Sequence, residues 1–180
     1  MIDYNFPLLV GDEEVLTERE LTTRVEAGLL MSGREAVRYI VVHCSATRAD
    51  RDYTPEQLLR DHRTRGFRTV GYHFYIRKAG EVSQHRMLLE VGAHAKPFNR
   101  CSIGICYEGG LAPGNGPALP ADTRTPAQKE ALYHLICRLH RLFPQAEVVG
   151  HRDLPGVRKA CPCFDVRSVY RFGKATTAET

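Results

Sequence analysis

The segment from residue 150 to residue 165, GHRDLPGVRKACPCFD, carries side chains that bind metal ions. His151 and Cys161 lie on either side of a turn-rich loop, and a neutral imidazole and a thiolate are ligands that zinc prefers. Pro155 and Gly156 allow the loop to fold back, so two ligands close in sequence can reach one ion. A catalytic zinc normally has three protein ligands and leaves a fourth position for water. The sequence therefore predicts a third ligand elsewhere in the chain.

His43 is the best candidate for that third ligand. It lies near the end of the β-branched run from Arg38 to Cys44, RYIVVHC, which is typical of a buried strand. A loop of small residues, 45–47, follows. A histidine placed where a buried strand opens into a loop can hold a metal in a cleft. A single strand histidine is more often structural, but the metal-binding side chains at residues 150–165 favour the metal site.

Three helices are indicated by threonines with N-cap chemistry, namely Thr17, Thr54 and Thr125. Proline follows the second and third of these threonines, where the first helical position needs no N–H donor. The first helix is expected to end at Ser32-Gly33, the second near Arg65, and the long third helix before Pro144. Apolar residues at helical spacing along the third helix indicate a buried face.

Further strands and a last helix complete the predicted framework. The strands are expected at Val70 to Arg77, Val82 to Arg86, Ser102 to Tyr107 and Ala146 to Gly150, and the short helix at Phe164 to Phe172. The Gly- and Pro-rich stretch 109–124 is a predicted loop. This order predicts a single α/β domain over residues 38–173, with a central mixed β-sheet flanked by helices. Residues 1–37 form a predicted N-terminal helical appendage, and residues 174–180 a predicted flexible tail.

Composition restricts the function classes. The chain has 180 residues, 43% of them hydrophobic and 26% charged, and a formal net charge of +4. This mild basicity fits an anionic polymer as partner but is too weak to predict nucleic acid. No run approaches the roughly 20 apolar residues of a membrane span, so no membrane partner is expected. The N-terminus, MIDYNFPLLVGDEE, lacks the features of a signal peptide, and the six cysteines are expected to be mostly free thiols.

Five motifs occur in one order along the chain: VVHCSAT (41–47), VGYHFYI (70–76), GAHAKPFN (92–99), CSIGIC (101–106) and KACPCFD (159–165). In this order they resemble the zinc-dependent N-acetylmuramoyl-L-alanine amidases. The chain is most similar to the bacteriophage lysozyme-type branch, which shares its fold with animal peptidoglycan recognition proteins. The resemblance covers roughly residues 38–170, and five ordered motifs are far more specific than one.

The resemblance implies hydrolysis of the amide bond between the lactyl group of N-acetylmuramic acid and L-alanine in peptidoglycan. It implies one zinc ion per chain, held by His43, His151 and Cys161. Tyr72 and Lys159 would act beside the metal, because a lysine can stabilise an oxyanion and a tyrosine hydroxyl can assist proton transfer. The groove that holds the glycan and peptide would be bordered by His94, Lys96 and Asn99.

Several alternatives stay open at this point. Cys163 competes with Cys161 as the ligand, although the family pattern places the ligand directly before the proline. A cytoplasmic amidase that recycles anhydro-muropeptides has the same fold, but its third ligand is typically aspartate. A non-catalytic muropeptide-binding module typically lacks the cysteine. We expect a monomer made in the cytoplasm that reaches the wall through a holin or a secretion machine, as a phage or prophage endolysin or as a toxin.

Overall fold

The computed structural model describes residues 17–172. Within them the strands are β1 (Tyr39–Cys44), β2 (Thr47–Arg48), β3 (Phe74–Ile76), β4 (Val82–Gln84), β5 (Ser102–Tyr107), β6 (Gly110–Leu111) and β7 (Glu147–Gly150). The α-helices are α1 (Glu18–Glu26), α2 (Pro55–Thr64), α3 (Pro126–Leu142) and α4 (Val166–Val169). None of these helices is long and apolar enough to cross a membrane.

Five strands form the main sheet in the order β4-β3-β5-β1-β7. β1 lies between β5 and β7 and pairs with both in parallel, while β4 pairs with β3 in an antiparallel hairpin. The sheet is therefore mixed, with helices packed against it, which confirms the predicted fold class. β2 and β6 form a separate parallel pair. The predicted loop 109–124 therefore contains a short strand, β6, near its start.

Side chains alternate along β1 and thereby separate the core from the functional face. Ile40, Val42 and Cys44 belong to the large hydrophobic core, which also contains the buried face of α3. Val41 packs on the other side of the sheet, in a small cluster with Ala95 and other residues. His43, two residues after Val41, is therefore on the face opposite α3.

The strand predicted from Val70 and the last predicted helix are both shorter in the structure, and a polar contact explains the first difference. The strand predicted from Val70 begins only at Phe74, because the N–H of Gly71 donates to Nδ1 of His62 at 2.9 Å instead of to a strand. The last helix is a single turn, capped by Asp165.

The first helix also ends earlier than predicted. Gly28 has a left-handed φ of 72°, which ends α1 after Glu26 rather than near Ser32-Gly33. The chain then runs beside residues 89–91, where Leu30 forms a β-bridge with Glu90. The division into appendage, domain and tail stays a prediction, and residues 1–16 and the predicted tail lie outside the described residues.

Removing the N-cap of α3 should destabilise the fold. Thr125 accepts a hydrogen bond from the N–H of Gln128 and donates one to the carbonyl of Lys78 at 2.6 Å. Thr125→Ala is expected to lower the free energy of unfolding by about 1–2 kcal/mol, measured by urea denaturation. Thr17→Ala is the matched control, since α1 has the same capping box but no buried residue. Equal losses in the two variants would contradict this reasoning.

Candidate active site

Three potential metal ligands converge at the carboxyl ends of neighbouring parallel strands. The register pairs Val42 of β1 with Gly150 of β7, so His43 and His151 follow at the same edge of the sheet. Their ring centroids are 4.5 Å apart. The ligand atoms of His43, His151 and Cys161 all lie within 4.8 Å of one another.

The distances fit a metal of the size of zinc. Nδ1 of His43 is 3.8 Å from Sγ of Cys161. Zinc–nitrogen and zinc–sulfur bonds of usual length at a tetrahedral angle would put these atoms about 3.5 Å apart. The backbone N–H of Cys44 points at Sγ of Cys161 at 3.3 Å and helps to hold the sulfur beside His43. The donor set and its spacing therefore suit zinc.

The loop that carries Cys161 is fixed by hydrogen bonds to its backbone. The N–H of Arg152 donates to the carbonyl of Cys161 at 2.8 Å, which ties the loop to the turn that carries His151. The buried Tyr107 hydroxyl donates to the carbonyl of Pro162 at 2.7 Å. The carboxylate of Asp153 accepts from the N–H of Gly150 at 2.7 Å and so holds that turn.

Both histidines of this group are kept neutral, which is the form that binds a metal. Burial lowers the pKa of His43 well below its ordinary value, and His94, His151 and Lys159 add to this effect. Burial also lowers the pKa of His151, again with a contribution from the positive charge of Lys159. Lys159 itself is exposed. A solvent-exposed cation therefore acts on both histidines.

Cys163 has a different environment from Cys161. Its thiol donates to the carbonyl of Gly110 at 3.3 Å and lies 3.8 Å from Sγ of Cys44. Burial, together with Cys44, raises the pKa of Cys163 to about 12. Cys163 therefore remains a thiol, and the convergent group of ligand atoms contains Cys161. Cys44 packs in the large hydrophobic core.

Tyr72 lies beside the ligands. Its ring centroid is 5.1 Å from that of His43 and 5.5 Å from that of His62. Burial raises the pKa of Tyr72 well above its ordinary value, and neighbouring cysteines, first among them Cys106, add to this. The hydroxyl therefore stays protonated and can donate a hydrogen bond.

The match to known families decides the identity. Residues 33–164 match the family model described as N-acetylmuramoyl-L-alanine amidase. The chain belongs to this family. It is an enzyme that hydrolyses the amide bond between the lactyl group of N-acetylmuramic acid and L-alanine in peptidoglycan. The family resemblance inferred from the five motifs is confirmed.

Individual relatives agree with this assignment. The endolysin of Enterobacteria phage K11 is 36% identical over 147 residues, which cover 81% of this chain and 93% of the phage protein. Among solved structures, an endolysin amidase from Clostridium intestinale is 29% identical, with a TM-score of 0.59 over 72% of this chain and 76% of that chain. The endolysin of Thermus scotoductus bacteriophage Ph2119 is 26% identical, with a TM-score of 0.60 over 75% and 82%.

The three predicted groove residues of the amidase lie in one segment but face different surroundings. Lys96 is exposed. Oδ1 of Asn99 accepts from the backbone N–H groups of His94 and Ala95, at 2.9 and 2.8 Å. Nδ1 of His94 lies 3.0 Å from Nε2 of His43, and Nε2 of His94 is buried. Contact of these residues with the substrate stays a prediction.

Sequence reasoning missed residues that position the site. The Tyr107 hydroxyl holds the loop that carries Cys161. His62 holds the backbone before Tyr72. Each acts through a single side-chain contact. No local pattern marks them. Gly104 did carry a signal, because a glycine inside a buried strand indicates a close approach by another group. Here that group is the ring of His94, whose nearest atoms would be 2.7 Å from a Cβ at Gly104.

Removing the Tyr107 hydroxyl should destabilise the amidase. Tyr107→Phe leaves the buried carbonyl of Pro162 without its donor, which is expected to lower the free energy of unfolding by about 1–3 kcal/mol. Urea denaturation of the metal-free protein measures the effect. Tyr133→Phe is the control, since Tyr133 is 55% exposed and should show little change. Equal stability of Tyr107→Phe and the wild-type protein would contradict the expected role.

Proposed function

We propose that this amidase is zinc-dependent, with one zinc ion per chain held by His43, His151 and Cys161. The observation that carries the proposal is the convergence of these three ligand atoms within 4.8 Å of one another. All three come from one chain, so the site needs no second subunit and a monomer suffices. Three protein ligands leave a coordination position open, as catalytic zinc sites do.

Bound zinc supplies Lewis acidity that activates water and polarises the amide carbonyl. Lys159 supplies a positive charge at the open side of the site, where it stabilises the negative charge that develops on the carbonyl oxygen during attack. The protonated hydroxyl of Tyr72 donates a hydrogen bond to the same oxygen or assists proton transfer to the leaving amine. A tyrosine hydroxyl is protonated near neutral pH, and burial of Tyr72 raises its pKa further.

Intact peptidoglycan or its soluble muropeptides are the proposed partner. Lys96 is the exposed cation of the segment 94–99 and is available to a carboxylate of the peptide stem. His94 and Asn99 shape this segment, and we retain them as residues that border the groove. A cysteine among the converging ligands favours this enzyme over an aspartate-containing recycling amidase. The same cysteine favours this enzyme over a non-catalytic binding module, which typically lacks the cysteine.

Delivery to the cell wall is proposed from the relatives. The similar protein of Enterobacteria phage K11 is named an endolysin. We propose that this chain likewise acts on the wall after release from the cell in which it is made, through a holin or a secretion machine. Lysis of sensitive cells only when a holin is co-expressed would support the first route.

Zinc binding should depend on Cys161 and not on Cys163. A chelator is expected to stop the release of muropeptides from purified cell wall, and zinc should restore it. Cys161→Ala should lose bound zinc, measured by elemental analysis, together with activity. Cys163→Ala should keep both, because the Cys163 thiol is bonded to Gly110. Full activity of Cys161→Ala would contradict the assignment of Cys161 as a zinc ligand.

Lys159 and Tyr72 should affect turnover and not zinc content. Lys159→Ala is expected to lower kcat by about 100-fold to 1,000-fold, because it removes a stabilising charge from the transition state. Tyr72→Phe is expected to lower kcat by about 100-fold or more. Arg158→Ala is the control for Lys159, since it removes a neighbouring exposed cation. Loss of zinc or of the fold in Lys159→Ala would indicate a structural role.

A further inference from the structure

His43 has a hydrogen-bond partner on the side of its ring away from Cys161. Its Nδ1 faces Sγ of Cys161 at 3.8 Å, while its Nε2 lies 3.0 Å from Nδ1 of His94. The two rings are nearly perpendicular, at 86°. A nitrogen that binds a metal carries no proton, so the proton of a neutral His43 must be on Nε2. Nε2–H of His43 is therefore the donor, and Nδ1 of His94 is the acceptor.

This assignment fixes the second ring as well. When Nδ1 of His94 accepts, its own proton is on Nε2. That nitrogen is buried, and no acceptor among residues 17–172 lies in good hydrogen-bond geometry to it, although the backbone of Ser102 is near the ring. A buried donor without a partner is unfavourable for folding. Stability by itself therefore does not account for a histidine at this position, whereas an acceptor for His43 does.

Two glycines make room for the His94 ring. A Cβ at Gly92 would lie 2.5 Å from Cδ2 of His94, and a Cβ at Gly104 would lie 2.7 Å from three ring atoms. Gly104 is inside β5, a strand in which every residue is buried, and a glycine weakens a strand interior because it has no side chain to pack. Glycine at position 104 therefore weakens β5 locally and leaves space for the His94 ring.

Asn99 fixes the backbone that carries the ring. Its Oδ1 accepts from the N–H groups of both His94 and Ala95, at 2.9 and 2.8 Å. The contacts run from Asn99 through the backbone to His94, and from the His94 ring to His43. The orientation of the His43 ring is thus restrained by a segment that is distant in the chain, because His43 and His94 are 51 residues apart in sequence.

We propose that His94 is a positioning residue for the metal centre, acting through His43. It accepts the Nε2–H of His43, which orients the imidazole and selects the tautomer whose Nδ1 is free for the metal. Asn99, Gly92 and Gly104 hold the His94 ring in place. The inference rests on the proposed zinc site at His43, and it assigns His94 a role distinct from contact with the substrate.

Three variants test the acceptor. His94→Phe keeps a ring but removes the acceptor, whereas His94→Asn keeps an oxygen near the position of Nδ1. We expect His94→Phe to weaken zinc binding by about 10-fold to 100-fold, and His94→Asn to stay close to the wild-type affinity. His140→Ala is the control, because His140 stacks on Phe172 from α3, a helix on the face of the sheet opposite His43. It should lower the melting temperature and leave zinc affinity unchanged.

The readouts are the zinc dissociation constant, from competition with a chromogenic chelator, and the NMR signal of Nε2–H of His43. That signal should be protected from solvent exchange in zinc-loaded wild-type protein and His94→Asn, and lost in His94→Phe. Unchanged zinc affinity in His94→Phe overturns the proposal. Equal weakening in His94→Phe and His94→Asn also overturns it, because packing and not the acceptor would then matter.

A further variant keeps the test open if His94→Phe does not fold. Gly104→Ala retains every ligand but displaces the His94 ring, so it should also weaken zinc binding. A folded Gly104→Ala with wild-type affinity would overturn the proposal. Failure of the zinc site itself gives a different result: the wild-type protein would bind no zinc, or Cys161→Ala would bind it as tightly.

Discussion

The parallel pairing of β1 with β7 is the constraint on which the site depends. It brings the ends of two strands that are about a hundred residues apart in sequence to one edge of the sheet, and a histidine follows the paired residues of each strand. Parallel strands end at the same edge, so His43 and His151 need no further device to meet. Cys161 reaches the same point because the N–H of Cys44, the residue after His43, points at its sulfur.

Polar contacts behind the ligands turn this meeting point into a defined geometry. Tyr107 and Arg152 hold the backbone around Cys161, and His94 contacts the inner nitrogen of His43. The contacts made by Tyr107 and His94 lie in buried or half-buried regions, where an unpaired polar group is unfavourable and where geometry is therefore strongly restrained. The open side of the site keeps the exposed Lys159. His43 is thus buried on one side of the centre, while Lys159 is exposed to solvent.

Much of the framework could be predicted from sequence because its signals are local. The caps at Thr54 and Thr125 and the apolar runs of β1 and β5 each depend on a few neighbouring residues, and the structure confirms them. The predicted strand from Val70 was too long, since the N–H of Gly71 bonds to a side chain from α2. That competition involves a residue nine positions away, which a local pattern does not include.

The sequence by itself determined the ligand types, the strand and loop boundaries that place His43 and His151, and the order of motifs that indicated the amidase family. These are properties of residue identity and short-range spacing. Only the tertiary structure decided that Cys161 joins the histidines while Cys163 bonds to Gly110, and that His94 lies against His43. These outcomes depend on distances between segments far apart in sequence. Such distances are set by sheet register and by the space that residues such as Gly104 leave open.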